Sequence, residues 1–189
     1  MKKLTQLLFI FSIATLLFSF TIDSVPSDWF KAGSQPSSYE MGIDNLIFKS
    51  GKSSATIQSA KKKIKGFGTL MQTCLADDYL GKRIKLSGFV KSEDLSDWAG
   101  FWLRIDNNQG KSIGFDNMQD RAIKGTTDWV KYEIVLDVPE SAATLNFGAL
   151  LSGTGKIWFD DLTIEIIEGN TLNTGTSTLK KPSNLSFEK

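Results

Sequence analysis

From Gly66 onward the sequence is a succession of short strand-like runs: GFGTLMQTC, KRIKLSGFVKS, AGFWLRID, KSIGFDNM, VKYEIVLDV, ATLNFGALL and KIWFDDLTIEII. Turn clusters such as Asp77-Asp78, Asn107-Asn108-Gln109-Gly110 and Ser152-Gly153-Thr154-Gly155 divide them. No stretch carries an amphipathic helical period. Runs of this length and spacing predict an all-β chain folded as an antiparallel two-sheet sandwich. Alternation puts Ile84, Leu86 and Val90 on one face of their strand, and Tyr132, Ile134, Leu136 and Val138 on one face of theirs. Such faces bury against an opposing sheet, each large aliphatic contributing on the order of 2 kcal/mol. Upstream, Tyr39 to Asp44 and Ser54 to Gln58 read as two more strands about the turn Lys49-Ser50-Gly51-Lys52.

Composition removes several classes of function. The chain has no histidine and one cysteine, Cys74, so it offers no Ser-His-Asp or Cys-His arrangement, no ordinary zinc site and no intrachain disulfide. Carboxylates, Lys and Tyr remain for catalysis. Asp160 or Asp161 with Glu165 could form a carboxylate pair, but no Glu-x-Asp-x-x-Glu run is present, and a hydrolase is the minority reading. Charge is close to balanced, with 22 basic and 21 acidic side chains, which does not indicate a nucleic-acid binder. The one basic cluster, Lys61-Lys62-Lys63-Ile64-Lys65, reads as a solvated loop between strands.

At the N-terminus two lysines precede the apolar run LTQLLFIFSIATLLFSF. A run this short fits a secretory signal over residues 1–21 better than a spanning helix, although no small-x-small cleavage site stands out. The expectation is therefore a bacterial protein exported to the periplasm, cell surface or medium, either processed or held by an uncleaved N-terminal anchor. Residues 22–168 then form the folded domain, large enough for a sizeable core, and residues 169–189 a polar, Thr-rich tail or linker. Asn184 to Glu188 within that tail reads either as the start of a second module or as a strand that completes the first.

The stretch most suggestive of chemistry is WAGFWLRID. Extended backbone turns Phe101, Leu103 and Ile105 one way and Trp102, Arg104 and Asp106 the other. A large aromatic beside a planar cation and a carboxylate is a set that can hold a sugar-like or other small polar ligand. It is equally a half-buried Trp beside a surface ion pair.

In order along the chain, GFGTLMQ, Gly81-Lys82-Arg83-Ile84, VKSED, WAGFWLRID, FDNMQDR, IKGTTDWVKYEIVLDVPE and FGALLSGTGKIWFDDL resemble a bacterial β-sandwich module. That module is related to carbohydrate-binding modules and to the galactose-binding-like jelly roll, and the likeness spans about Trp29 to Glu168. Similar modules are fused to helix-turn-helix transcription factors of the arabinose-regulator type and to exported esterase-like or peptidase-like enzymes. The resemblance implies a jelly roll that binds rather than catalyses. It makes Trp129 and Trp158 core residues, and it places Asp160 where related jelly rolls hold a structural calcium near a turn like Gly51-Lys52-Ser53. No other cofactor is implied. Within the matched motifs the candidate ligand-binding set is Gln72, Trp98, Trp102, Arg104, Asp116, Asn117, Gln119 and Arg121, whose amides, carboxylate and guanidinium groups suit sugar hydroxyls. Asp116 and Asn117 cannot share a face of one regular strand. The expected ligand is a carbohydrate or related polar small molecule, with contact to a protein partner as the alternative.

Overall fold

The computed structural model describes residues 22, 24–168 and 171–175. The N-terminal apolar run and Asn184 to Glu188 lie outside the described residues. Nine strands account for most of the fold: β1 (Phe30–Gly33), β2 (Tyr39–Asp44), β3 (Ser54–Ser59), β4 (Phe67–Leu75), β5 (Arg83–Asn107), β6 (Ser112–Asp116), β7 (Ile123–Asp137), β8 (Ala142–Ser152) and β9 (Lys156–Ile166). Every pairing is antiparallel. Among the described residues no helix is long and apolar enough to cross a membrane.

The 25-residue β5 belongs to both layers of the sandwich. Its first half, Ile84 to Glu93, lies against β9, while Trp98 to Asn107 lies against β8. Pairing with β7 slips between Val90 and Ala99, and Asp94 adopts a positive φ of 51°. These irregularities bend the strand so that one chain serves two sheets. The sheets therefore run β1-β4-β8-β5-β6 and β2-β3-β9-β5-β7. This is the all-β jelly-roll sandwich expected of the sequence.

Between the sheets, alternate residues meet as predicted. Ile84, Leu86, Phe101, Leu103, Ile105, Ile134, Leu145, Leu151 and Ile157 are fully buried, and Leu136, Val138 and Phe159 nearly so. Tyr132 packs at their margin. Trp29, before the first strand, closes the layer edge-on to Phe147, with ring centroids 5.9 Å apart. Tyr39 ties down two loops by donating its hydroxyl to the carbonyls of Gly66 and Gly153.

Two aromatics depart from expectation. Trp158 is buried, but it alternates with the interior residues Ile157 and Phe159 and so lies on the outside of the second sheet. There its Nε1 donates to Asp44 Oδ2 at 2.8 Å, and Lys156 Nζ sits 4.4 Å from the ring centre. Trp129 is half-buried and also outside the continuous core. Outer sheet faces bury an indole by laying long polar side chains over it, which apolar content alone does not reveal. The C-terminal tail also differs from a free linker over residues 171–175. Thr174 exchanges hydrogen bonds with Val135, its N–H donating to the carbonyl at 2.9 Å, and Arg83 donates to the Thr171 carbonyl at 2.7 Å.

Candidate functional site

The outer face of the β1-β4-β8-β5-β6 sheet carries an open groove of about 460 Å³. Register explains its make-up. Trp98, Trp102 and Arg104 alternate with the core residues Ala99, Phe101, Leu103 and Ile105, so they point away from the interior. The neighbouring strands add Thr69, Met71, Leu150 and Ser152 on the same side. Ala32 and Gly33 of β1 close one flank, while Phe67, Phe115 and Asn117 also line the groove. Trp98 and Arg104 are six residues apart, which sets the groove length at about 20 Å from the rise of a strand.

Trp102 forms the floor rather than an exposed platform. It is 7% exposed, packs with Met71 and Leu150, and donates from Nε1 to Thr69 Oγ1 at 2.8 Å. Thr69 in turn donates its hydroxyl hydrogen bond to the Ala149 carbonyl at 2.7 Å, so the indole is fixed in rotation. Trp98 is half-buried beside this cluster and supplies the more accessible ring. Arg104 is held by Asp106: Nε lies 2.9 Å from Oδ1 and Nη2 2.8 Å from Oδ2. Asp106 also accepts from Asn146 Nδ2 at 3.0 Å, which keeps the buried carboxylate paired.

The remaining predicted residues divide. Asn117 lines the groove, with Oδ1 accepting from the Gln119 N–H. Asp116 and Arg121 form a clasp instead: Arg121 Nη2 is 2.6 Å from Asp116 Oδ2, and the Met118 N–H reaches Oδ1 at 2.8 Å. Burial would lower the Arg121 pKa, but Asp116 and Asp120 outweigh it and raise the value, so the clasp remains ionic. The clasp fixes the turn that presents Asn117. Gly100 makes the approach of that turn possible, since a Cβ there would crowd Met118 and the Asn117 carbonyl. Gln119 is exposed and borders an adjoining hollow of about 320 Å³, which shares Phe115 and Asn117 with the groove and is lined also by Asp116, Asp120, Thr174 and Gly175. Gln72 lies on the other face of β4, in step with Leu70 and opposite Phe147, because the side-chain period is two.

Asp160 lies on the other sheet. Its Oδ2 accepts from the backbone N–H groups of Lys49 and Ser50 at 2.9 and 3.1 Å, and its Oδ1 from Asp161 N–H at 2.8 Å. Calcium requires six or more oxygen ligands, whereas these donors present positive dipole ends to the carboxylate. The residues at Asp160 do not fit that ion. Among the described residues no three His, Cys, Asp or Glu side chains gather to hold a metal. Glu165 ion-pairs with Lys85 at 3.2 Å, and Asp161 accepts from Ser50 Oγ, so both carboxylates have structural partners.

Fold and groove together define an antiparallel β-sandwich with an open groove on the outer face of one sheet. The chain superposes on the CBM22-1 xylan-binding domain of Paenibacillus barcinonensis Xyn10C with a TM-score of 0.56 and 15% identity, over 78% of this chain and 91% of that one. The C-terminal family 22 carbohydrate-binding module of Clostridium thermocellum Xyn10B gives 0.52 and 14%, over 74% and 86%. The Stig cyclase Fisc of Fischerella sp. TAU gives 0.54 and 16%, over 82% and 93%. At such identities the likeness is one of fold. In sequence, the chain is 42% identical over 166 residues to the uncharacterized HTH-type transcriptional regulator YbfP of Bacillus subtilis (strain 168). The match covers 85% of this chain and 56% of the regulator, so the chain spans a little over half of that relative. No family model matches.

Proposed function

We propose that this protein is a non-catalytic binding module that holds a carbohydrate or related polar small molecule in the groove between Trp98 and Arg104. The observation that carries this reading is the groove itself: aromatic and apolar side chains along its length, with a fixed guanidinium and an amide at one end. A ring face can stack on Trp98 while Arg104 and Asn117 fix its orientation. The xylan-binding neighbours support the reading through their fold. Export, with the first 21 residues as signal or anchor, is part of the proposal and is checked by cell fractionation.

The test is a saccharide panel titrated against the protein and followed by calorimetry and tryptophan fluorescence. Binding that Trp98→Ala abolishes without loss of fold supports the groove. Binding that survives Trp98→Ala, or silence across the panel, refutes it.

A second reading has its own support. The 42% identity to a helix-turn-helix regulator favours an effector-sensing role, in which groove occupancy is relayed to another domain or protein. The described residues of this chain are strands, single-turn 3-10 helices and connecting loops, with no helix-turn-helix among them. This module would then read a small molecule and leave nucleic acid to its partner. Ligand binding without any effect on association with a partner domain would remove the sensing role.

A further inference from the structure

We infer that the groove selects ligands bearing a carboxylate, acidic sugars among carbohydrates, and that Arg104 is the residue that selects them. The inference rests on the groove being the binding site. Its lining contains an arginine and no acidic residue. At the Arg104 end the hydrogen-bonding capacity left over is one-sided. Arg104 uses Nε and Nη2 on Asp106, and the described residues supply no acceptor for Nη1. Asn117 uses Oδ1 on the Gln119 N–H, which fixes the amide so that Nδ2 is the free end. Thr69 Oγ1 already accepts from Trp102 and donates to Ala149, and Ser152 Oγ donates to Asp97.

Arg104 Nη1 and Asn117 Nδ2 are thus the donors left at one end of the groove, while Ser152 Oγ, whose proton goes to Asp97, keeps its lone pairs to accept at the other. A neutral sugar hydroxyl both donates and accepts, so at the donor end its hydrogens find little beyond water. A carboxylate only accepts, which matches the donor-only end formed by Arg104 and Asn117. The Arg104–Asp106 pair pre-sets the guanidinium plane, so little side-chain freedom is lost when Nη1 takes a ligand oxygen. Asp106 itself is covered, its side chain 9% exposed and its charge met by Arg104 and Asn146, which limits its repulsion of an incoming anion. Register sets the orientation. Arg104 pairs with Phe115 of β6, whereas Trp98 pairs with Ser152 of β8. The carboxylate would sit at the β6 end, with the apolar ring faces running over Trp102 toward Trp98.

The experiment compares matched oligosaccharides that differ in the acid alone: xylo-oligosaccharides with and without glucuronate, and oligogalacturonate against galacto-oligosaccharide. Binding to the full chain is measured by calorimetry at low and at physiological salt. The acidic member of a pair is expected to bind at least about tenfold tighter, as one charge-assisted hydrogen bond allows, with the advantage shrinking as salt rises. Arg104→Gln should erase the preference, and Arg104→Lys should keep part of it. Trp98→Ala should abolish the binding of both members. Equal affinities within every pair would overturn the inference while leaving the groove as the site. Failure of all acidic and neutral members to bind would overturn the inference and the groove together. Should Arg104→Gln unfold, the wild-type pair comparison and the lysine variant still decide the matter.

Discussion

Replacing Trp102 with alanine should be a stability mutation before it is a binding mutation. A tryptophan side chain buries roughly 200 Å², which at about 25 cal/mol per Å² amounts to about 5 kcal/mol. Trp102 is 7% exposed, so nearly all of that area is withdrawn from water. Three corrections follow from the structure. The alanine keeps its Cβ, the open groove lets water enter the space, and the unfolded chain already buries part of its area. Together they bring the apolar loss to about 3 kcal/mol. Loss of the hydrogen bond from Nε1 to Thr69 adds about 1 kcal/mol. The expected loss is therefore about 3–4 kcal/mol, or a fall in Tm of roughly 6–16 °C for a domain of this size. Urea unfolding followed by far-ultraviolet circular dichroism measures it, with an unchanged m-value showing that the same surface is exposed. A loss under about 1 kcal/mol would refute the argument, because a floor residue packed on Met71 and Leu150 cannot be removed so cheaply.

Trp98→Ala, at the half-buried end of the same groove, should lower stability by less than about 1.5 kcal/mol while removing saccharide binding; calorimetry beside a thermal melt separates the two effects. Asp44 should govern part of the acid response. Burial would raise its pKa, but hydrogen bonds from Trp158, the backbone N–H groups of Leu46 and Ile47, and Lys156 outweigh burial and lower it. With the folded value below the unfolded value of about 3.9, its contribution is complete above about pH 4 and is lost as pH falls through the folded pKa. Asp44→Asn should flatten that decline, and an unchanged profile of Tm against pH would count against it. Because N–H groups satisfy Asp160, calcium or a chelator should leave the melting temperature unchanged; a calcium-dependent rise would show oxygen ligands gathered where the structure places donors.

The residues that could be placed from sequence are those whose role depends on alternation within one strand. Ile84, Leu86, Ile134 and Leu136 went inward, and Phe101, Leu103 and Ile105 turned their backs on Trp102 and Arg104, as a side-chain period of two requires. The sites that escaped are those decided between strands. Gln72 follows the parity of β4, and a sequence does not say which parity of β4 shares a face with Trp102; the pairing of Met71 with Gly148 and of Gly148 with Trp102 says so. Met71, Leu150 and Phe115 enter the groove by the same register. Asp116 and Arg121 looked like ligand groups and proved to be partners of each other, because side chains five positions apart meet only when the intervening turn folds back.

The chain by itself determined that it would be strands, that those strands would have one apolar face each, and that histidine and disulfide chemistry were absent. Those properties are local, set by side-chain type and the alternation of extended backbone. Tertiary structure decided that β5 would bend into both sheets, that Trp158 would be buried on an outer face beside Lys156 and Asp44, and that Trp102 would be a floor with Trp98 packed beside it. Burial of an outer-face aromatic and the choice of partner for a carboxylate depend on which distant segments are brought within hydrogen-bonding reach, and that is fixed by strand register and packing rather than by neighbours along the chain.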